Sequence, residues 1–444
     1  MPVLAWSNRA WNTIEPLLCR DRIRFFCWGL LAVSFVLLVM SFVTSDENHQ
    51  NRFGSLGADF AGFYYAGKIL NGPMPEKLYD SQTQDESYYE IFPTVRGKEN
   101  LPYVHPPFVA AMFRPLALLP YPMAYAVWLV LSAGLYGAGL AVTWRVLQSM
   151  PTADRILAVL LALTFEPFLM ECWLGGQLSG LAFLFLALAF FWDQKDKFVL
   201  SGLALGLILY KPTLVILLLP MLVLARRWWT LLGICFTGLL LSLISLIAVG
   251  KNICLTYIDA LQGFTGTTTG TGMVRKDWKF IDLNFFFRNL FGEPTTLGRV
   301  LVLTIAAVTL GFLLISWWHM DRGGESRRRL VWAGTVTSTM VVNVYMGIYD
   351  LILIVPAVLW TAEVFYRHPN RTASCFPTFK LLVFLVVVLS WITQPLARMT
   401  GVQIITLVLL ALAAFQLRLA WMMTENTAVP TPDSASLSKT AICQ

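Results

Sequence analysis

Seven polar residues stand out in an otherwise apolar chain because their types and settings suit proton transfer and anion binding: Asp59, His105, Gln177, Lys211, Arg275, Tyr349 and Asp350. Asp59 heads the segment Gly57-Ala-Asp-Phe-Ala-Gly-Phe-Tyr-Tyr-Ala-Gly67. There it either caps a helix, since Asp is favoured at N-terminal positions, or serves as a carboxylate that takes a proton from an attacking hydroxyl. Lys211 precedes Pro212 between two apolar stretches, and an ammonium at membrane depth requires a cavity, water or an anion. Phosphate is the natural anion for a flexible point charge with several donors. Arg275, followed by Lys276 and Lys279, either adds to that anion site or forms a solvated basic loop. Gln177 follows two glycines, where an amide often satisfies turn carbonyls. Asp350 follows Tyr349 and either pairs with Lys211 or binds a substrate hydroxyl. His105 lies in Tyr103-Val-His-Pro-Pro107, an extended segment because of the prolines; a lone His of this kind is a hydrogen-bonded structural residue more often than a base. Glu166 and Glu171 read as solvated acids near a membrane surface.

The elements that must hold these residues are membrane helices. Of 444 residues, 57% are hydrophobic and only 13% charged, with sixteen Trp, thirty Phe and a mean hydropathy of +0.64. Apolar runs alternate with short charged segments, as a hydrocarbon layer of roughly 30 Å demands of helices and not of barrel strands. The net charge of +7 resides mostly in short loops between those runs, where the positive-inside tendency accounts for it, so no nucleic-acid partner is implied. Seven cysteines are scattered without a CxxC pair or a His at ligand spacing, which supports neither a disulfide framework nor a metal site. No P-loop, GxGxxG, GxSxG or HExxH pattern occurs, so nucleotide-using, hydrolase and metalloprotease chemistries have no foothold.

Basic clusters at Arg20 to Arg24, Arg145 with Arg155, Lys195 with Lys197, Arg226 with Arg227, Arg322 with Arg327 to Arg329, and Arg367 with Arg371 mark the cytoplasmic side. Twelve spans then fall near 25–43, 122–143, 156–170, 178–192, 198–210, 212–225, 230–250, 297–318, 330–346, 351–366, 378–393 and 402–421. This predicts an all-α polytopic protein with one transmembrane domain over 1–423, outer loops at 44–121 and 251–296, and a disordered cytoplasmic tail over 424–444. Ala58 to Leu70 reads as a short helix lying in the membrane interface.

Helix length is the sharpest constraint. Residues 198–225 run between two cytoplasmic clusters with Lys211 in the middle, leaving arms of roughly 13 residues, or about 20 Å. Such arms stop short of the far surface, so Lys211 belongs at the tip of a shallow hairpin. The hairpins turning at Glu171 to Gln177 and at Gly347 to Asp350 are also slightly short. Three polar tips would then form the floor of one outward-facing cavity, roofed by the first long loop.

The chain resembles glycosyltransferase family 87, membrane transferases of the GT-C architecture that use polyprenyl-phosphate-linked sugars. The resemblance is carried by Asp59 to Gly67, Leu78-Tyr79-Asp80, Tyr103 to Pro107, Pro115 to Pro120, Gly176-Gln177, Ser201 to Gly206 leading to Lys211-Pro212, and Tyr349-Asp350-Leu351, in order over 25–366. It departs from the family pattern where many relatives carry a His shortly before the Tyr-Asp pair, this chain having Asn343 to Tyr349, and at His105, where Tyr is more usual. The resemblance implies a lipid-linked sugar donor, mannose being the best-known sugar, and a lipid or glycan acceptor. It also implies inversion at the anomeric carbon without nucleotide, cofactor or obligatory metal, in the plasma membrane with the site facing the non-cytoplasmic side. Asp59 matches the family's catalytic carboxylate; Lys211 and Arg275 are taken as contacts to the donor phosphate, and His105, Gln177, Tyr349 and Asp350 as substrate contacts. A transporter or flippase of a lipid-linked glycan would use the same cavity without Asp59 as a base; no internal repeat supports it.

Overall fold

Long apolar runs out of water must satisfy their backbone within each segment, and the chain is helical almost throughout. A computed structural model of the protein describes residues 11 and 13–423 apart from 52–53, 58, 97–101 and 270–276. Arg275 and the expected tail, 424–444, lie outside the described residues. Strand among the described residues amounts to an antiparallel pairing of Gln50–Asn51 with Gly54–Ser55 and one bridge between Phe280 and Gly347.

Each of the twelve expected spans overlaps a helical segment. Among the described residues seven helices are long and apolar enough to cross a membrane alone: Arg20–Val43, Tyr121–Trp144, Trp228–Val249, Thr296–Trp318, Ile348–Arg367, Pro369–Thr400 and Ile404–Met422. Thr152–Leu163 and Pro167–Leu174 make an eighth if taken as one span bent by 49°, while Ser179–Asp193, Phe198–Tyr210 and Pro212–Leu224 are apolar but shorter. The protein is a polytopic all-α membrane protein.

The short hairpin has the form its length requires. Phe198–Gly206 tightens into a 3-10 turn at Leu207–Tyr210, breaks at Lys211 with φ −140° and ψ 81°, and returns through Pro212–Val215 and Leu218–Leu224. The proline explains the break, because a residue before proline is pushed out of the helical region. Small residues let the first arm press against Trp228–Val249: a Cβ on Gly202 would sit 2.0 Å from the Thr230 carbonyl oxygen.

Gly324–Val341 is buried along most of its length and packs on Ile354–Arg367 and Ile404–Met422. Its hydroxyls stay satisfied in these apolar surroundings because Thr335, Thr337 and Thr339 donate to carbonyls four residues back. The segment after this helix is stitched to the start of Leu283–Phe291. Asp282 caps Leu283–Phe291 through the Asn284 and Phe285 N–H groups, at 3.0 and 3.3 Å, and its other oxygen accepts the Met346 N–H at 2.9 Å.

The long loop at 44–121 corrects one expectation. Its helix, Phe60–Asn71, exists at the expected place, but its apolar side chains do not face lipid; Phe60, Phe63, Tyr64, Tyr65, Ile69 and Leu70 are all buried. Helices Ser81–Ile91 and Pro107–Phe113 cover it, so apolar residues on every face meet protein instead of lipid.

Asp282→Ala removes the cap and strands the buried Met346 N–H, and is expected to destabilise the fold by about 2–3 kcal/mol. Thermal unfolding in detergent should show a clear drop for Asp282→Ala and a smaller one for Asp282→Asn, which keeps a capping oxygen.

Candidate active site

One face of a helix builds the wall of the site. Within Tyr121–Trp144, residues 121, 125 and 128 share a face by helical spacing. Tyr121 donates its hydroxyl to the Leu56 and Gly57 carbonyls at 2.6 and 2.8 Å, Tyr125 to Leu174 at 2.5 Å, and the Trp128 indole to Gly176 at 3.0 Å. This face thus grips two chain segments at once, the one entering Asp59 and the one entering Gln177. The segments also bind each other, since the Phe60 N–H donates to the Gly175 carbonyl at 3.1 Å. Gly176 has φ +83°, and a Cβ there would stand 2.5 Å from Phe60 Cβ, so only glycine fits.

Asp59 occupies the position before Phe60–Asn71 but makes no side-chain cap. Its Oδ2 instead accepts the Gln177 amide at 3.0 Å. Two residues further on, Ser179 donates its hydroxyl to Asp350 Oδ1 at 2.7 Å. Asp350 Oδ2 in turn accepts from the Lys211 ammonium. Residues 177 and 179 are separated by at most about 7 Å of chain, so Asp59 and the Lys211–Asp350 pair are linked by one short run of backbone. Between the two residues, the Leu178 carbonyl accepts the Tyr210 hydroxyl at 3.0 Å, which brings the neighbour of Lys211 to the same place. The three hairpin tips therefore converge.

Of the two sequence readings of Asp350, the geometry selects the ion pair. Its side chain is 1% exposed and that of Lys211 13%. The Lys211 ammonium also lies over the Tyr349 ring, 4.7 Å from its centroid, a favourable placement for a cation. Asn343, at a position where sequence reasoning saw only a departure from a pattern, donates to the Thr213 carbonyl at 2.9 Å and so anchors the returning arm beside Lys211.

His105 packs among Phe63 and Tyr103 with ring centroids 5.2 and 5.6 Å away, and its carbonyl accepts the Tyr79 hydroxyl at 2.8 Å. Burial, and then the positive charge of Lys211, push its imidazole down to about 4. It is neutral at pH 7 and presents one ring donor and one ring acceptor.

Sequence reasoning took Glu171 for a solvated acid, whereas its carboxylate pairs with Lys279 at 3.1 Å and accepts the Gln394 amide at 2.7 Å. Gln394 carried a signal, being a polar side chain inside the apolar helix Phe376–Thr400. Ser179 did not, because a serine at a helix start is commonplace. Among the described residues no three His, Cys, Asp or Glu side chains are grouped to hold a metal ion.

A family model described as glycosyltransferase family 87 matches residues 103–343, more than half of the chain. The matched region contains His105, Gln177 and Lys211; Asp59 and Tyr349-Asp350 lie outside it. No curated protein and no solved structure matches the chain.

Gly176→Ala forces a side chain into the left-handed region and against Phe60, at an expected cost of about 3 kcal/mol. Its detergent-solubilised protein should melt well below wild type, and any residual activity should fall with it because Asp59 shares the displaced backbone.

Proposed function

The chain belongs to glycosyltransferase family 87, and from that membership we propose that it transfers a sugar, mannose first, from a polyprenyl-phosphate donor to a hydroxyl of a lipid or glycan. A membrane glycosyltransferase is what the family establishes. The donor, the inversion and the non-cytoplasmic side are the proposal, together with a GT-C-like single domain over 1–423, twelve crossings, placement in the plasma membrane and a cytoplasmic tail over 424–444.

The observation that carries this reading is the run from Asp59 through Gln177 and Ser179 to Asp350 and Lys211. It places a carboxylate that does not serve as a helix cap within one short stretch of a buried ammonium. In the proposed reaction Asp59 removes the proton from the acceptor hydroxyl as that oxygen attacks the anomeric carbon. The bond from that carbon to the phosphate oxygen breaks, and the polyprenyl phosphate leaves with the electron pair. Lys211 uses one donor on Asp350; an ammonium has three, and the others would meet phosphate oxygens as negative charge builds there. Gln177 orients Asp59 by occupying one carboxylate oxygen. Neutral His105 contributes hydrogen bonding and no charge. Tyr349 offers its ring to substrate and cation alike, and Arg275 is proposed as a second phosphate contact.

Membranes containing wild-type protein should move labelled mannose from polyprenyl-phosphate-mannose into lipid or glycan. Asp59→Asn, at equal protein level, should lose at least about 100-fold in rate. Activity that survives the substitution rejects Asp59 as the base.

A further inference from the structure

Trp228–Val249 leaves an apolar stripe uncovered by protein, with Leu239, Leu243 and Ile247 exposed by 72%, 51% and 76%. Since this helix is long and apolar enough to span, the stripe faces hydrocarbon. The chain then turns at Gly250, where φ is +83°, and enters the helix Lys251–Thr269. Among the described residues that helix is not one of those apolar enough to cross a membrane, and the side chains of 251–261 show what it meets instead. At about 100° per residue, three flanks follow one another around its axis. Ile253, buried, and Tyr257, half-buried, form the first. Asn252, Thr256 and Asp259 form the second, and all are exposed. Leu255, Ile258 and Leu261 form the third, exposed by 51%, 50% and 41%. One flank thus suits protein, one water and one lipid.

We propose that residues 251–261 form an interfacial seat in the headgroup layer of the membrane, with Leu255, Ile258 and Leu261 docked on lipid and Asn252, Thr256 and Asp259 turned to water. A helix lying along the membrane surface against the side of a protein meets these three environments on three flanks. A helix wholly in water has no use for the third flank, and one wholly in hydrocarbon cannot carry the second.

Two observations make lipid the occupant of the third flank. The flank continues, across the single residue Gly250, the exposed apolar surface of a membrane-spanning helix. Lys251 stands exposed where that span ends, at the level where an ammonium meets lipid phosphates while its stem stays on apolar surface. The protein flank carries this level inward. The Tyr257 ring packs on Tyr79, with centroids 5.5 Å apart, and Tyr79 on Tyr103 at 6.1 Å. The Tyr79 hydroxyl donates to the His105 carbonyl at 2.8 Å, so the seat sets the height of the His105 wall relative to the membrane surface.

Spin labelling of the full-length protein in nanodiscs of phosphatidylethanolamine and phosphatidylglycerol tests the seat. Nitroxides are attached one at a time to Asn252→Cys, Leu255→Cys, Thr256→Cys, Ile258→Cys, Asp259→Cys and Leu261→Cys, with the native cysteines replaced by serine or alanine. Collision with molecular oxygen reports lipid, and collision with a water-soluble nickel chelate reports water. Labels at 255, 258 and 261 should favour oxygen, at a depth of about 5–10 Å below the phosphates, while those at 252, 256 and 259 should favour nickel. The same preference at all six positions, for either reagent, overturns the proposal. Exclusion of both reagents at 255, 258 and 261 overturns it too, since protein would then cover that flank. Wild-type protein supplies a second measurement that needs no cysteine-free background: an iodinated aryl diazirine dissolved in the bilayer should, on photolysis, mark 255, 258 and 261. Absence of label from 251–261 in a sample where Trp228–Val249 is labelled overturns the seat independently.

Discussion

The ion pair between Lys211 and Asp350 is the contact around which the site is assembled. The Lys211 side chain is only 13% exposed, and leaving its ammonium uncompensated among apolar side chains would cost several kcal/mol. The chain answers by bringing a carboxylate from a second hairpin, 139 residues away, and by satisfying that carboxylate's other oxygen from a third. The three tips meet inside the protein.

Asp59 enters this arrangement through backbone and aromatic contacts and not through charge. The ridge of Tyr121, Tyr125 and Trp128 donates to carbonyls on both sides of the Asp59–Gln177 contact. Gly176 allows the two segments to touch. A carboxylate held this way has one oxygen engaged by the Gln177 amide, which suits the proton-accepting role proposed for it. The helical stretch Pro167–Leu174 that leads into Gly175 carries Glu171, whose carboxylate pairs with Lys279 from a distant segment.

Much of this was legible in the sequence because length and hydropathy act locally. Residues 198–225 had to fold back at Lys211-Pro212, and a helix had to begin beside Asp59; both follow from apolar runs and prolines within a few residues. The partners were not legible, since they depend on which tips meet. Asp350 had two sequence readings until the fold brought Ser179 and Lys211 to its two oxygens. Glu171 looked like a surface acid because Gln394, its partner, lies 223 residues away. The helix at Phe60–Asn71 looked interfacial because composition reports that a face is apolar without saying whether lipid or protein covers it. The expected crossings at 330–346 and in the three short apolar helices have helices in place, but the polar character of Gly324–Val341 marks it as a helix surrounded by protein.

The most direct test of this account is a double-mutant cycle on the central pair, read as the stability of detergent-solubilised protein carrying Lys211→Met, Asp350→Asn or both. Either single change leaves a charge in a site built for two, so each should cost about 3 kcal/mol or more, while the double variant should cost far less than the sum, with a coupling of at least about 2 kcal/mol. Costs that simply add would contradict the account, because the three tips would then be held together by something other than this pair.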